Sequence, residues 1–311
     1  MIPLDFNRRL NEDEKITIIN EYYKKLTKSR QKSKIKSIDD WCKKYLKIKD
    51  DKGNLCEYSF EYVVKADFKT LEKIKQYIDD PKNKVNQREL GYQGKNNKVI
   101  YYIKDTLYEN MGDAKDYLIE QLNITTCPYC NRNFINSHEN IKTCQLDHFF
   151  DKSTYPILAV SFYNLIPSCP SCNHKKGTKQ LSYSPHNMNY STDELLEFSY
   201  YVSNSDYINN PKSITIDIES LGDKKIYDNI LALELIQLYQ IHTDIVQELI
   251  KKKAIFSEEY INKLEEIFPN VINSSEEVKR LLYGNYLNES EYSKRPLSKL
   301  TRDICLQLGI L

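Results

Sequence analysis

CPYC at 127–130 and LDHFFDKSTYPILAVSFYNLIPSCPSCNHKKGTK at 146–179 are the two strings on which the reading of this chain turns. Each holds one C-x-x-C knuckle, Cys127/Cys130 and Cys169/Cys172, with 38 residues between the knuckles. A knuckle turns the backbone so that two thiolates point at one ion, and two knuckles complete the tetrahedral set that Zn(II) favours. A redox C-x-x-C needs no twin, so the pairing points to a structural zinc site. The gap is longer than a bare zinc ribbon requires, so something else is threaded between the knuckles. Cys144 lies close by, but a closed four-thiolate site needs no fifth ligand, and it is expected to be a buried apolar residue.

The threaded segment carries the chemistry of metal-assisted hydrolysis. Such chemistry needs a base for water and a cation to stabilise the leaving oxygen. Asp147 and His148 are adjacent, and in an extended segment adjacent side chains point to opposite faces. Asp147 is a hard oxygen ligand suited to Mg(II) or Mn(II). His148 titrates near neutrality when unperturbed, which suits a general base. Asn164 is placed to orient the His148 ring through a side-chain or backbone hydrogen bond. Asn173, at the start of a short helix, can offer an amide oxygen as the second metal ligand, with His174 as the alternative. That helix also presents Lys175, Lys176 and Lys179 as candidate phosphate contacts.

These residues, Asp147-His148, then Asn164-Leu165, then Cys169 to Lys176, resemble the HNH endonuclease family. The resemblance implies a ββα-metal fold with Asp147 and Asn173 as metal ligands, His148 as general base and Asn164 as the orienting residue. The string around Asp147 is also similar to HNH proteins of bacterial anti-phage defence, such as the HNH subunit of Septu-type systems, which works with an ATPase. Many members have His in the final metal position where this chain has Asn173 followed by His174.

Outward from this core the sequence becomes helical. Residues 11–30 place Ile16, Ile18, Ile19, Tyr22, Tyr23 and Leu26 at helical spacing, with Asn11 and Glu14 set for a capping box. Further helices are expected over 37–46, 57–66, 69–79 and 98–122, with a polar loop at 79–97. Alternation at 197–202 and 213–218 predicts a β-hairpin. A long helix is expected over 227–254. The fold class expected is α+β, mainly α, in three parts: a helical, basic region at 1–124, the zinc-stapled module at 125–190, and a hairpin followed by helices at 191–311.

The net charge of the 311-residue chain is only +1, so global charge does not announce a nucleic-acid binder. Its distribution is uneven: residues 1–100 carry 24 basic and 16 acidic side chains, or +8. A basic third of this kind is suited to tracking phosphates. No run of about 18 apolar residues predicts a membrane span, and MIPLDFNRRLNEDEK at 1–15 lacks the apolar stretch of a secretory signal. A cytoplasmic location is expected. The function expected is a metal-dependent endonuclease acting on DNA in anti-phage defence, with zinc as structural cofactor and Mg(II) or Mn(II) as catalytic cofactor. A defence-system ATPase or sensor is the expected partner, and the sequence leaves the oligomeric state open. Two other functions fit the same residues: a catalytically idle zinc-stapled binding module, and the same chemistry directed at RNA.

Overall fold

The first long helix begins where its capping box closes. The Asn11 Oδ1 accepts from the Glu14 amide at 2.9 Å, and the Glu14 carboxylate accepts from the Asn11 amide at 2.9 Å. A computed structural model describes residues 2–4, 6–28, 32–49, 53–83, 102–135, 137–138, 141–187, 191–222 and 224–311. Helix α1 (Glu12–Thr27) buries Ile19, Tyr22 and Leu26 of the expected apolar positions, leaves Ile18 and Tyr23 half-buried, and exposes Ile16. Helices α2 (Lys32–Tyr45), α3 (Phe60–Lys65) and α4 (Phe68–Asp79) follow. Together they form a floor beneath the central module. Tyr22 and Phe6 pack on Phe162 with ring centroids 5.4 and 5.3 Å apart, and Phe68 stacks on Phe150. Each such buried ring contributes about 2–3 kcal/mol of apolar burial. Polar contacts tie the same surfaces, since the Tyr22 hydroxyl donates to the Val160 carbonyl at 2.9 Å and the Ser161 hydroxyl to Val63 at 2.9 Å.

The helix expected over 98–122 is shorter and interrupted. Its first four residues lie outside the described residues. Tyr102–Leu107 is a π-helical turn, and α5 (Asp113–Leu122) starts only after Gly112. Gly112 sits at φ 48°, a left-handed conformation that breaks the helical run. The expected loop at 79–97 is described only as far as Asn83, where Pro81–Asn83 forms a 3₁₀ turn.

The central module contains two short strand pairs. β1 (Ser137–His138) pairs with β2 (Ile141–Lys142). β3 (Gln145–His148) pairs antiparallel with β4 (Leu165–Ser168), with Asp147 opposite Ile166 and His148 opposite Leu165. Helix α6 (Pro170–Lys176) leaves β4 directly and packs back on β3. The order strand, strand, helix is the ββα arrangement implied by the resemblance.

The predicted hairpin is present as β5 (Leu196–Val202) and β6 (Ile214–Ser220), in register from Leu196 opposite Ser220 to Val202 opposite Ile214. The long helix expected over 227–254 is three pieces: α7 (Lys224–Ala232), α8 (Leu235–Tyr239) and α9 (Thr243–Ile255). The first break is at Glu234, in the left-handed region at φ 53°. Leu233 and Leu235 on either side are both buried, so the turn puts two apolar residues that are two positions apart into the core where a straight helix would splay them apart. Helices α10 (Glu258–Ile267), α11 (Ser275–Tyr283) and α12 (Ser298–Gln307) complete the chain. The fold is α+β and mainly α. One apolar core runs from Leu4 to Ile310, joining all three parts, and Ile261, Ile272 and Val278 form a small satellite. Among the described residues no helix is long and apolar enough to cross a membrane.

His186 shows how tightly the segment after α6 returns under the sheet. Its ring is buried, and its Nε2 donates to the Leu165 carbonyl at 3.0 Å. Burial pushes its pKa down to about 4, and the bond to Leu165 opposes that shift. The unfolded chain therefore takes up this proton near pH 6.5, before the folded protein does. The stabilisation is present above pH 6.5 and lost as pH falls towards 4. Denaturant titrations at pH 7 and pH 4.5 should show a loss that His186→Gln reduces by up to about 3 kcal/mol.

Candidate active site and zinc cluster

The four knuckle cysteines are buried, and their sulfurs all lie within 4.8 Å of one another. The Cys130 and Cys169 sulfurs are 4.0 Å apart. Tetrahedral Zn(II) with Zn–S bonds of about 2.3 Å needs sulfurs roughly 3.8 Å apart, so the quartet fits zinc. Amides aim at the sulfurs as well: Cys169 N–H at Cys127 (3.3 Å), Arg132 N–H at Cys130 (3.4 Å) and the Asn133 side chain at Cys169 (3.3 Å). Such donors stabilise thiolate charge. Hydrogen bonds from Cys127, Cys130 and Cys172 hold the Cys169 thiol far below its ordinary range, while bonds within the same quartet push Cys172 far above. Four thiols this close cannot all ionise without a cation among them.

The first knuckle is built by Asn131, at φ 49°. Its amide donates to the Cys127 carbonyl at 2.8 Å, closing the turn. Asn tolerates this left-handed conformation better than most residues. Its side chain faces the C-terminal region, donating to the Tyr292 carbonyl at 2.8 Å and accepting from the Lys299 amide at 3.2 Å. The Tyr239 hydroxyl donates to the Cys130 carbonyl, so α8 and α12 both brace the knuckle.

β3 divides the catalytic candidates between two faces. Gln145 and Asp147, two apart, face α6, on which Asn173 and Lys176 are three apart. The two pairs meet. Asn173 Nδ2 donates to Gln145 Oε1 at 2.7 Å, and Lys176 Nζ approaches Asp147 Oδ1 at 3.2 Å. Lys176 Nζ also donates to the His148 carbonyl at 2.6 Å, and the Tyr129 hydroxyl to Asp147 Oδ2 at 2.6 Å. Burial pushes the Asp147 carboxyl up, and the Lys176 ammonium and Tyr129 hydroxyl pull it back.

His148 takes the opposite face. Its Nε2 lies 3.0 Å from the Ala159 carbonyl, and its ring packs on Tyr108 with centroids 4.4 Å apart. A carbonyl only accepts, so Nε2 carries the proton and Nδ1 holds the lone pair of the neutral ring. Burial first, then the nearby Lys152 ammonium, pushes the pKa down to about 3. The imidazole is therefore neutral across the physiological range.

The hydrogen bonds of the Asn164 side chain go to the backbone of Phe150 and Leu158, and the His148 ring bonds to Ala159 instead. Asn164 Oδ1 accepts from the Phe150 amide at 2.7 Å, and its Nδ2 donates to the carbonyls of Phe150 (3.1 Å) and Leu158 (2.9 Å). It clamps both ends of the 149–158 loop, and Leu158 precedes the residue whose carbonyl holds His148. His174 is exposed on the other side of α6. Lys175 pairs with Glu234, and Lys179 donates to the Ala232 carbonyl at 3.0 Å. Lys176 differs from the expectation of a phosphate contact, because its side chain is fully buried. Sequence reasoning missed Tyr129 and Gln145. The signals available were an aromatic inside the first knuckle and a polar residue two positions before Asp147.

Residues 127–179 match the family model of HNH endonucleases. This segment is an HNH domain. Over 119 residues the chain is also 31% identical to the Septu protein PtuB of Bacillus thuringiensis, a stretch covering 37% of this chain and 44% of that protein. The chain thus spans less than half the length of that relative. No solved structure matches the chain. The HNH segment runs from the first cysteine knuckle to three residues beyond the end of α6, so both C-x-x-C pairs lie inside it.

Two outcomes follow from the site's construction. Zinc analysis should find one ion per chain, and Cys172→Ser should lose it together with the cooperative thermal transition. Asn164→Ala leaves the Phe150 amide and two carbonyls without their partner and should cost about 3 kcal/mol in denaturant titrations.

Proposed function

We propose that the protein is a metal-dependent HNH endonuclease that hydrolyses phosphodiester bonds in DNA as a cytoplasmic effector of anti-phage defence. The observation that carries this reading is the adjacency of Asp147 and His148 at the end of β3, facing opposite sides, with His148 held as a neutral tautomer by Ala159. Asp147 and Asn173 would hold a Mg(II) or Mn(II) ion, since both offer hard oxygens on the α6 side of the strand. Such an ion supplies positive charge to the scissile phosphate and the leaving oxygen.

The chain's own residues do the remaining work. His148 Nδ1 accepts the proton of the attacking water, while the Nε2–H bond to Ala159 keeps the ring from turning. Asn164 is a positioning residue, because it fixes the loop that presents the Ala159 carbonyl. Tyr129 holds the second oxygen of Asp147 in place. The four-cysteine cluster keeps β4 and α6 in register with the first knuckle and does not touch the substrate. The regions 1–124 and 191–311 are proposed as separate functional parts around this module, to hold nucleic acid or to dock an ATPase or sensor subunit. The likeness to Septu PtuB supports a defence role and a multi-subunit system.

One observation favours a second reading. Asp147 is already satisfied by Lys176 and Tyr129, as it would be in a catalytically idle zinc-stapled binding module. Purified protein with Mg(II) or Mn(II), alone and with its partner, should be incubated with plasmid, single-stranded DNA and total RNA. Cutting of DNA is expected, reduced about 10²-fold or more by His148→Ala. Undiminished cutting by His148→Ala overturns the assignment, binding without cutting by the assembled system favours the idle module, and cutting of RNA alone redirects the substrate.

A further inference from the structure

Lys176 is placed where neither a surface phosphate contact nor a plain structural lysine is expected. It is the last residue of α6, and its neighbours His174 and Lys179 are exposed, yet its own side chain has no solvent exposure. A buried ammonium needs a charge partner and filled donors. Both are provided, by Asp147 Oδ1 at 3.2 Å and the His148 carbonyl at 2.6 Å. These are the side chain of the candidate metal ligand and the backbone of the candidate base. The second oxygen of Asp147 is taken by Tyr129 at 2.6 Å.

The geometry limits what else can bind. A divalent cation sits about 2.1 Å from a carboxylate oxygen. If it bound Asp147 Oδ1 as the residues now stand, the 3.2 Å contact would leave it at most about 5.3 Å from the Lys176 ammonium. Three positive charges would then share one buried carboxylate, with repulsion little screened by solvent. Conversely, without either cation Asp147 would be a buried, uncompensated charge. Resting on the reading of Asp147 as a metal ligand, we propose that Lys176 is a built-in counter-ion of the catalytic site. Its ammonium holds Asp147 and the end of β3 in place before a divalent ion arrives, and the ion binds by expelling it. Lys176 is a positioning residue on this account, and it sets how much divalent cation is needed to load the site.

The test is direct Mn(II) binding, read by electron paramagnetic resonance on the zinc-loaded 311-residue chain. Lys176→Met should bind Mn(II) about tenfold or more tightly than wild type, because the competing charge is gone. Asp147→Asn should lose the site. Unchanged or weaker binding by Lys176→Met, with Asp147→Asn still abolishing it, overturns the counter-ion role and leaves Asp147 as a ligand. Binding by Asp147→Asn equal to wild type overturns the metal-ligand reading and the proposal with it. A second measurement needs no variant. Acetylation of wild-type lysines followed by mass spectrometry should leave Lys176 protected without divalent ion and modify it at saturating Mn(II). Lys24, whose side chain is 73% exposed, serves as the internal standard. Protection of Lys176 that persists at saturating Mn(II) overturns the expulsion.

Discussion

The convergence of four cysteine sulfurs from two distant knuckles is the constraint on which the rest of the molecule depends. It fixes the first knuckle against the start of α6, and so fixes where α6 lies on β3. That placement brings Asn173 to Gln145 and Lys176 to Asp147. Without the quartet, a two-stranded sheet of four residues a side has too little ladder to hold a seven-residue helix. The helices around it act on the same geometry from outside, α1, α3 and α4 beneath the 149–162 loop and α8 and α12 against the first knuckle.

What the sequence discloses and what it hides follow from the range of the forces involved. Ligand chemistry acts through residue type at short spacing, so the cysteine pairs and the Asp147-His148 step are legible as they stand. The capping box of α1 and the β5–β6 hairpin are equally local. The break at Glu234 is not, because every residue from Leu231 to Tyr239 tolerates a helix and only the core chooses otherwise. Asn131 reads as one asparagine among many until its left-handed turn and its contacts with Tyr292 and Lys299 are seen.

Lys176 is the sharpest case. A lysine in the last turn of a short helix is expected in water, complementing the helix dipole. Its burial depends on the face that α6 turns to β3, which residue type alone does not encode. Asn164 shows a milder version. Its candidacy is readable from its spacing to Asp147-His148, but it clamps the backbone at Phe150 and Leu158 and leaves the His148 ring to the Ala159 carbonyl.

The bracing of the first knuckle also has a temporal side. The Ile2 amide donates to the Pro128 carbonyl at 2.8 Å, while Asn131 takes its partners from Tyr292, Leu297 and Lys299. Contacts separated by more than 160 residues form only after the later segment leaves the ribosome. Zinc can be captured once both knuckles exist, but the turn carrying Cys130 gains its final support only after residues 292–299 have been made. A chain still on the ribosome therefore carries a first knuckle that is only loosely held, and its turn becomes firm as the 292–299 segment folds against it.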